Sequence, residues 1–285
     1  MDFDMNRTWT QAQGLLSNNM QLLGIIAGVF MLVPGMLFYV AMPDITTQLA
    51  TQTNPDPDQM MAMLREAAVP LVVLGLVSFV AQTLGYLAMI AVMAEDRPTV
   101  GEALRRALAF LPTAIGVTLV MLLGYLLAAL VMGLALGLVI AAATAVGGQV
   151  LAVFLTLICV LAVLVGIMFL ATRFILTMPI IALEGITGPI AVIRRSWNLT
   201  REHAWKICIF FVLIFAAYFV IAMVLGAVFG VIAGLLGNGS ASALVLGLSN
   251  GLIGAAVAML FSAIMVALHR QLTGVSGPTI DQTFG

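Results

Sequence analysis

The sequence predicts an all-α, polytopic membrane protein: six transmembrane helices arranged as three tandem units, each an amphipathic helix followed by a helical hairpin. Three observations lead there. First, 63% of the 285 residues are hydrophobic and 8% are charged, against about 45–50% and about 25% in soluble domains. A water-soluble core cannot hold such an excess, and the bilayer is its natural solvent. Second, six apolar runs reach the roughly 20 residues needed to cross a hydrocarbon core. Third, the few charges cluster in the connections between alternate runs.

The runs cover about 21–42, 69–94, 112–143, 149–178, 206–236 and 242–268. The first is preceded by "MDFDMNRTWTQAQGLLSNN", which opens with two aspartates and lacks the short apolar core and cleavage site of a secretory signal. Runs three and four are separated by "TAVGGQ" (144–149), and runs five and six by "GNGSAS" (237–242). These polar, glycine-bearing stretches are turn signals that divide two very long apolar blocks into hairpins. A transmembrane barrel is excluded, since it needs segments of about ten residues with in–out alternation. The outward connection between runs one and two is expected to carry a short helix from Asp56-Pro57, with Met60, Met61, Met63 and Leu64 apolar.

Orientation follows from the basic residues. With the N-terminus in the cytoplasm, Arg7, Arg97, Arg105, Arg106, Arg173, Arg194, Arg195, Arg201, Lys206 and Arg270 are cytoplasmic, and of the eleven basic residues Arg65 alone lies outside. That asymmetry is the positive-inside pattern. It predicts cytoplasmic N- and C-termini.

The charged connections also resemble one another. Laid over each other without gaps, Glu95 falls on Glu184 and Arg105-Arg106 on Arg194-Arg195. Runs one, three and five begin about 90 residues apart, and "VALHRQLTG" at the end of run six is similar to "IALEGITG" at the end of run four. The whole chain, 1–285, therefore reads as one integral membrane domain with repeat units of about 1–94, 95–183 and 184–285. A unit with two spans returns the chain to its starting side, so parallel repeats about a pseudo-threefold axis are expected.

Within 99–111, Thr99 and Glu102 form the Thr-x-x-Glu capping box. Val100, Ala103, Leu104, Ala107, Leu108 and Leu111 then share one helical face, with Glu102, Arg105 and Arg106 opposite. Such a helix is expected to lie in the interface, arginines toward lipid phosphates. In 189–197, Pro189 suits a first helical turn, Val192, Ile193 and Trp197 make the apolar face, and Arg194 and Arg195 the polar one. Trp9, Trp197 and Trp205 are candidate interfacial anchors. Thr200 is expected to cap the fifth span.

Arg173, Pro179, Glu184, Ala191, Arg195-Ser196-Trp197, Leu199-Thr200 and Trp205 form a pattern over residues 173–207. It resembles that of the YciC-like bacterial inner-membrane proteins and of the related membrane domain found beside some glycerophosphodiester phosphodiesterases. The resemblance implies a helical protein of the bacterial inner membrane. A soluble phosphodiesterase domain is not part of this reading, so that enzymatic activity does not carry over.

Candidate site residues follow from charge at the membrane margin. Arg173 comes after about 24 apolar positions and must snorkel to the headgroups, pair with Glu184 across a break at Pro179, or contact a lipid phosphate. Arg105, Arg106, Arg194 and Arg195 either anchor the interface or build a cradle for anionic lipid. Glycines four residues apart, at Gly24/Gly28, Gly133/Gly137, Gly226/Gly230/Gly234 and Gly247/Gly251, are candidate helix-packing positions. His203 and His269 lack partners at metal-ligand spacing, and there is no HExxH, P-loop or serine elbow. The sequence therefore points to a non-enzymatic membrane protein without cofactor or metal, whose partners are membrane lipids, anionic ones foremost, rather than nucleic acid. It either binds such lipid or scaffolds envelope components. The rival reading is a transporter or channel for a lipid-like or small apolar substrate along the pseudo-threefold axis. Its midplane would then have only Gln82, Thr83, Thr118, Thr156, Ser249 and Asn250 to offer as polar groups.

Overall fold

The computed structural model describes residues 3–41, 57–96, 98–237 and 239–274, and every regular element among them is helical. Six helices are long and apolar enough to cross a membrane: Met5–Ala41, Ala68–Val92, Val100–Ala145, Gly148–Glu184, Ala204–Leu235 and Ser240–Thr273. In chain order these are spans 1 to 6. The expected count of six therefore holds. Asp44, Asp56 and Arg97 lie outside the described residues, but the short outward helix is present as Pro57–Glu66.

Prolines and glycines shape the helices where their chemistry requires it. Pro34 lacks the N–H that would bond to the carbonyl of residue 30. The chain responds by widening into a π-helical turn at Gly28–Leu32, where the Val33 N–H reaches the Gly28 carbonyl. Pro179 acts in the same manner on span 4: the long helix ends at Phe174, near the residue four places upstream, and resumes as Thr177–Pro179 followed by a second π turn, Ile180–Glu184. Spans 3 and 4 meet at Gly148, whose φ of 71° a residue with Cβ rarely adopts. The turn signals at 144–149 and 237–242 thus fall where the helices break.

The N-terminal and second amphipathic segments depart from expectation. Each is continuous with the span that follows it, Met5–Ala41 and Val100–Ala145, instead of forming a separate interfacial helix. Pro112 removes one backbone bond without stopping the helix. The capping box does form: the Thr99 hydroxyl accepts from the Glu102 N–H at 3.4 Å, and the Glu102 carboxylate accepts from the Thr99 N–H at 2.9 Å. Ala103 and Ala107 are buried, as the apolar face requires, but Leu108 is exposed. Only the third segment stands alone, as the collar helix Pro189–Thr200 with Pro189 in its first turn. It is parted from span 5 by tight turns in which the Arg201 and His203 N–H groups bond to the Asn198 and Thr200 carbonyls. The Thr200 hydroxyl donates back to the Ser196 carbonyl at 2.9 Å, so it does not cap span 5. That place falls to His203, which makes no side-chain cap bond.

The core lies toward one end of the bundle. Leu87 to Val92 of span 2 with Met93 just beyond it, Leu176, Ile180 and Ile181 of span 4, and Ile264, Val266, Ala267 and Leu268 of span 6 cluster there, joined by Val192 of the collar helix and Ile207 and Phe211 of span 5. Away from this end, spans 3, 4 and 5 present Leu, Val, Ile and Phe to the surroundings. In a bilayer those side chains meet acyl chains, so their exposure costs nothing. Span 6 is the most enclosed: 56% of its apolar window is buried, against 11% for span 2 and 6% for span 4.

Of the glycine pairs, Gly247 and Gly251 serve helix packing. A Cβ on Gly251 would lie 2.8 Å from the Leu32 carbonyl oxygen, and one on Gly247 would lie 3.0 Å from Tyr39 Cβ, so spans 1 and 6 touch backbone to backbone. Gly24, Gly28, Gly133, Gly137, Gly226, Gly230 and Gly234 have open space in the Cβ direction.

Candidate functional site

The buried end carries the charge. The ends of spans 2, 4 and 6 meet the start of span 3 and the collar helix around a cavity of about 620 Å³. Its lining includes Glu95, Asp96, Arg106, Glu184, Arg195, His269 and Arg270. Arg106 and Arg195 therefore stand at the same end of the bundle, as the basic-residue pattern requires. The N-terminus joins them there: Thr8 donates to the Gln271 side-chain oxygen, and the Gln271 amide donates to the Asp4 carbonyl at 3.3 Å.

Glu184 is the centre of the cluster. The Arg195 Nε and Nη2 donate to its two oxygens at 3.0 and 3.3 Å, and His269 Nε2 lies 2.8 Å from its Oε1. The π turn at Ile180–Glu184 and the left-handed Gly185 that ends it aim this carboxylate at the collar helix. His269 is held by span 6 with only 7% of its side chain exposed. The pairing of Arg173 with Glu184 considered from the sequence is not the one formed. The carboxylate is taken by Arg195 and His269, while the Arg173 side chain turns the other way, onto aromatic rings.

The two arginine doublets divide their labour. The second member of each pairs with a carboxylate on the preceding connection: Arg106 with Asp96 at 2.6 Å, Arg195 with Glu184. The hydrogen bond from Arg106 holds the Asp96 carboxyl below the usual carboxylate range. The first members, Arg105 and Arg194, are exposed and make no hydrogen bond or ion pair among the described residues. Periodicity alone put both members of each doublet on one polar face; only the neighbouring connections tell them apart.

Arg173 forms a second feature beside the cavity. Its guanidinium lies over the Phe169 ring at 5.1 Å and the Trp197 ring at 4.9 Å. Its Nε and Nη1 are buried with no hydrogen-bond partner among the described residues. Its backbone carbonyl accepts from the buried Ser196 hydroxyl at 2.7 Å, which fixes the collar helix against span 4. Arg194 and Arg201 lie three residues before and four after Trp197, on the same side of the collar. Trp205 packs on Phe169 with centroids 6.4 Å apart, and Trp197 on Phe174 at 5.8 Å. Trp9 is half-buried against the core instead.

Sequence reasoning missed His269 and Arg270, noting of the former only that it has no partner at metal-ligand spacing. The signal was present: "VALHRQLTG" overlaid on "IALEGITG" places His269 where Glu184 stands. The overlay marks corresponding positions, but not that they touch.

Fold and site together define a polytopic α-helical membrane protein whose charged connections gather at one end. Compared with known families, residues 149–273 match the family model described as the membrane domain of glycerophosphoryl diester phosphodiesterase. The relation expected from residues 173–207 is thus found and runs further, from span 4 to the end of span 6. It takes in Arg173, Glu184, Arg195, Trp197 and His269, while spans 1 to 3 lie outside the match. No curated protein and no solved structure matches the chain.

Proposed function

We propose that this is a non-enzymatic protein of the bacterial inner membrane that engages anionic phospholipid headgroups of the inner leaflet through its arginine-bearing collar. The observation that carries this reading is Arg173, a guanidinium at membrane-margin height with two buried nitrogens and no counter-ion among the described residues. An unpaired buried donor is costly, more so when charged. Cation–π contact with Phe169 and Trp197 offsets part of that cost and holds the guanidinium plane in place. A lipid phosphate is the anion that a bilayer supplies at this depth, and Arg194 and Arg201 flank the position. The excess of basic residues on the connections supports placing this end in the cytoplasm.

Transport along a central axis has less support. The Thr83, Thr118 and Thr156 hydroxyls donate to carbonyls of their own helices at Phe79, Ala114 and Ala152. Span 6 is also the most enclosed of the helices.

The reading is tested by native mass spectrometry of the purified protein, offered phosphatidylglycerol or phosphatidylcholine. Wild type is expected to retain the anionic lipid selectively. Arg173→Gln is expected to retain it about tenfold less, the scale of one lost charge-assisted hydrogen bond. Equal retention of both lipids by wild type, or no change in the variant, refutes it.

A further inference from the structure

Gln82 of span 2 stands apart from the threonines at similar depth. The Thr83, Thr118 and Thr156 hydroxyls bond within their own helices. The Gln82 side chain is exposed and makes no hydrogen bond among the described residues. Its depth is measured from the charged end, where Glu95 and Arg270 line one cavity and so share a level. Gln82 precedes Glu95 by 13 residues, about 20 Å along a helix. A hydrocarbon core about 30 Å thick leaves roughly 10 Å on its other side, so a glutamine side chain reaches neither margin. Asn250 is exposed too, but it precedes Arg270 by 20 residues, about 30 Å, and so meets the far headgroups and water.

An amide that faces acyl chains without a partner is costly. Polar side chains within membrane spans turn instead toward another helix and bond across to it. Gln82 does not sit alone on its face. Val72, Gly75, Leu76 and Phe79 precede it at spacings of three and four residues, along one stripe of span 2. All four are exposed, and a Cβ on Gly75 would meet nothing. The bundle packs on another face of this helix, where Gly85 lies against Phe30. The stripe thus combines an unpaired amide with a small residue two turns away that lets a second backbone approach closely.

We infer that this stripe is the interface of a parallel, twofold dimer, span 2 against span 2 of a second copy, with the two Gln82 amides exchanging a pair of N–H to C=O hydrogen bonds. A second copy fits better than an unrelated helix for two reasons. A carboxamide is self-complementary, since its N–H donates to the carbonyl of the other while its own carbonyl accepts in return. A copy inserted in the same orientation also carries its Gln82 at the same depth, whereas another protein would need a matching polar group at that height. A twofold axis along the membrane normal closes the assembly at two chains. The interface shares no residue with the charged cavity or with the surface at Arg173, and it does not rest on lipid binding there.

The test uses the full chain, labelled once per molecule and reconstituted in lipid vesicles, with the dimer fraction counted by single-molecule photobleaching as protein is diluted in lipid. Wild type is expected to pass from dimer to monomer on dilution. Gln82→Leu is expected to weaken association about tenfold, the scale of polar hydrogen bonds between membrane helices. Gly75→Leu is expected to weaken it at least as much, by holding the two helices apart. Neither residue has a partner to lose within the described chain, so both variants are expected to unfold in SDS as wild type does. A second measurement reads the geometry directly. With Cys159→Ala and Cys208→Ala, oxidation is expected to join two copies through Leu76→Cys but not through Leu123→Cys, an exposed position on span 3. A monomer at every dilution overturns the inference and leaves the stripe to a different membrane protein. Association that Gln82→Leu leaves unchanged overturns it as well, as does joining through Leu123→Cys without Leu76→Cys.

Discussion

Alanine at Gly251 is expected to loosen the contact between spans 1 and 6. The added Cβ would stand 2.8 Å from the Leu32 carbonyl oxygen and 3.2 Å from its Cα, and backbone cannot swing aside as a flexible side chain would. Relief requires the two helices to separate, which also disturbs Gly35 and Gly247 in the same seam. Overpacking of this sort costs about 1–3 kcal/mol. Alanine also favours the helix over glycine by roughly 0.8–1 kcal/mol, a gain that obscures the steric term in a single variant. Gly226→Ala is the matched control: it too sits inside a span, and its Cβ direction is open. The propensity gain is common to both and cancels in the difference. Gly251→Ala should therefore be about 1–3 kcal/mol less stable than Gly226→Ala, roughly a 5- to 150-fold change in the folding equilibrium. Reversible unfolding in mixed detergent–SDS micelles reads this difference. If the two variants unfold at the same SDS fraction, the seam is not the close contact described and the placement of span 6 against span 1 is wrong.

Two further predictions concern the charged end. Glu184→Gln takes the carboxylate charge from both Arg195 and His269 and should cost about 1–2 kcal/mol in the same unfolding assay, the lower range for a charged bond because Arg195 is 43% exposed. Glu95→Gln in the same cavity should change stability by less than about 0.5 kcal/mol, so equal costs for the two would contradict the central place given to Glu184. For Asp96, the folded-state pKa is depressed by Arg106. The contribution of that pair is therefore present above the ordinary aspartate pKa and fades as pH falls through the lowered value. A carboxyl NMR titration should place the Asp96 midpoint below that of an ordinary aspartate and return it there in Arg106→Gln. An unchanged midpoint in the variant would dismiss the pair as a source of the shift.

Much of the architecture was legible because membrane insertion depends on local properties. Apolar length, turn residues such as Gly148, the Thr99–Glu102 box and Pro189 at a helix start all act within a few residues, and each does in the structure what its chemistry predicts. The site was legible only in part. The sequence marked Arg173, Glu184 and both doublets as unusual, yet of its three readings of Arg173 the pairing with Glu184 is not formed, and it named no other partner for that carboxylate. Arg173 and Glu184 are near in sequence, and the π turn between them rotates the carboxylate toward residues 11 and 85 positions further on.

What the sequence by itself determined is that the chain is helical, that it crosses a bilayer six times, and that its charge lies on alternate connections. Transfer free energy and backbone satisfaction in lipid leave few other outcomes for runs of this length and composition. What only the tertiary structure decided is which charges meet. That His269 reaches Glu184, that Arg270 reaches the Met93 carbonyl, and that Arg173 is left against two aromatic rings depends on how span 6 packs against spans 1, 2 and 5. In lipid, helix association is set by close fit rather than by apolar area. A carbonyl packed against Gly251 is a matter of shape in three dimensions, and linear composition carries little of it.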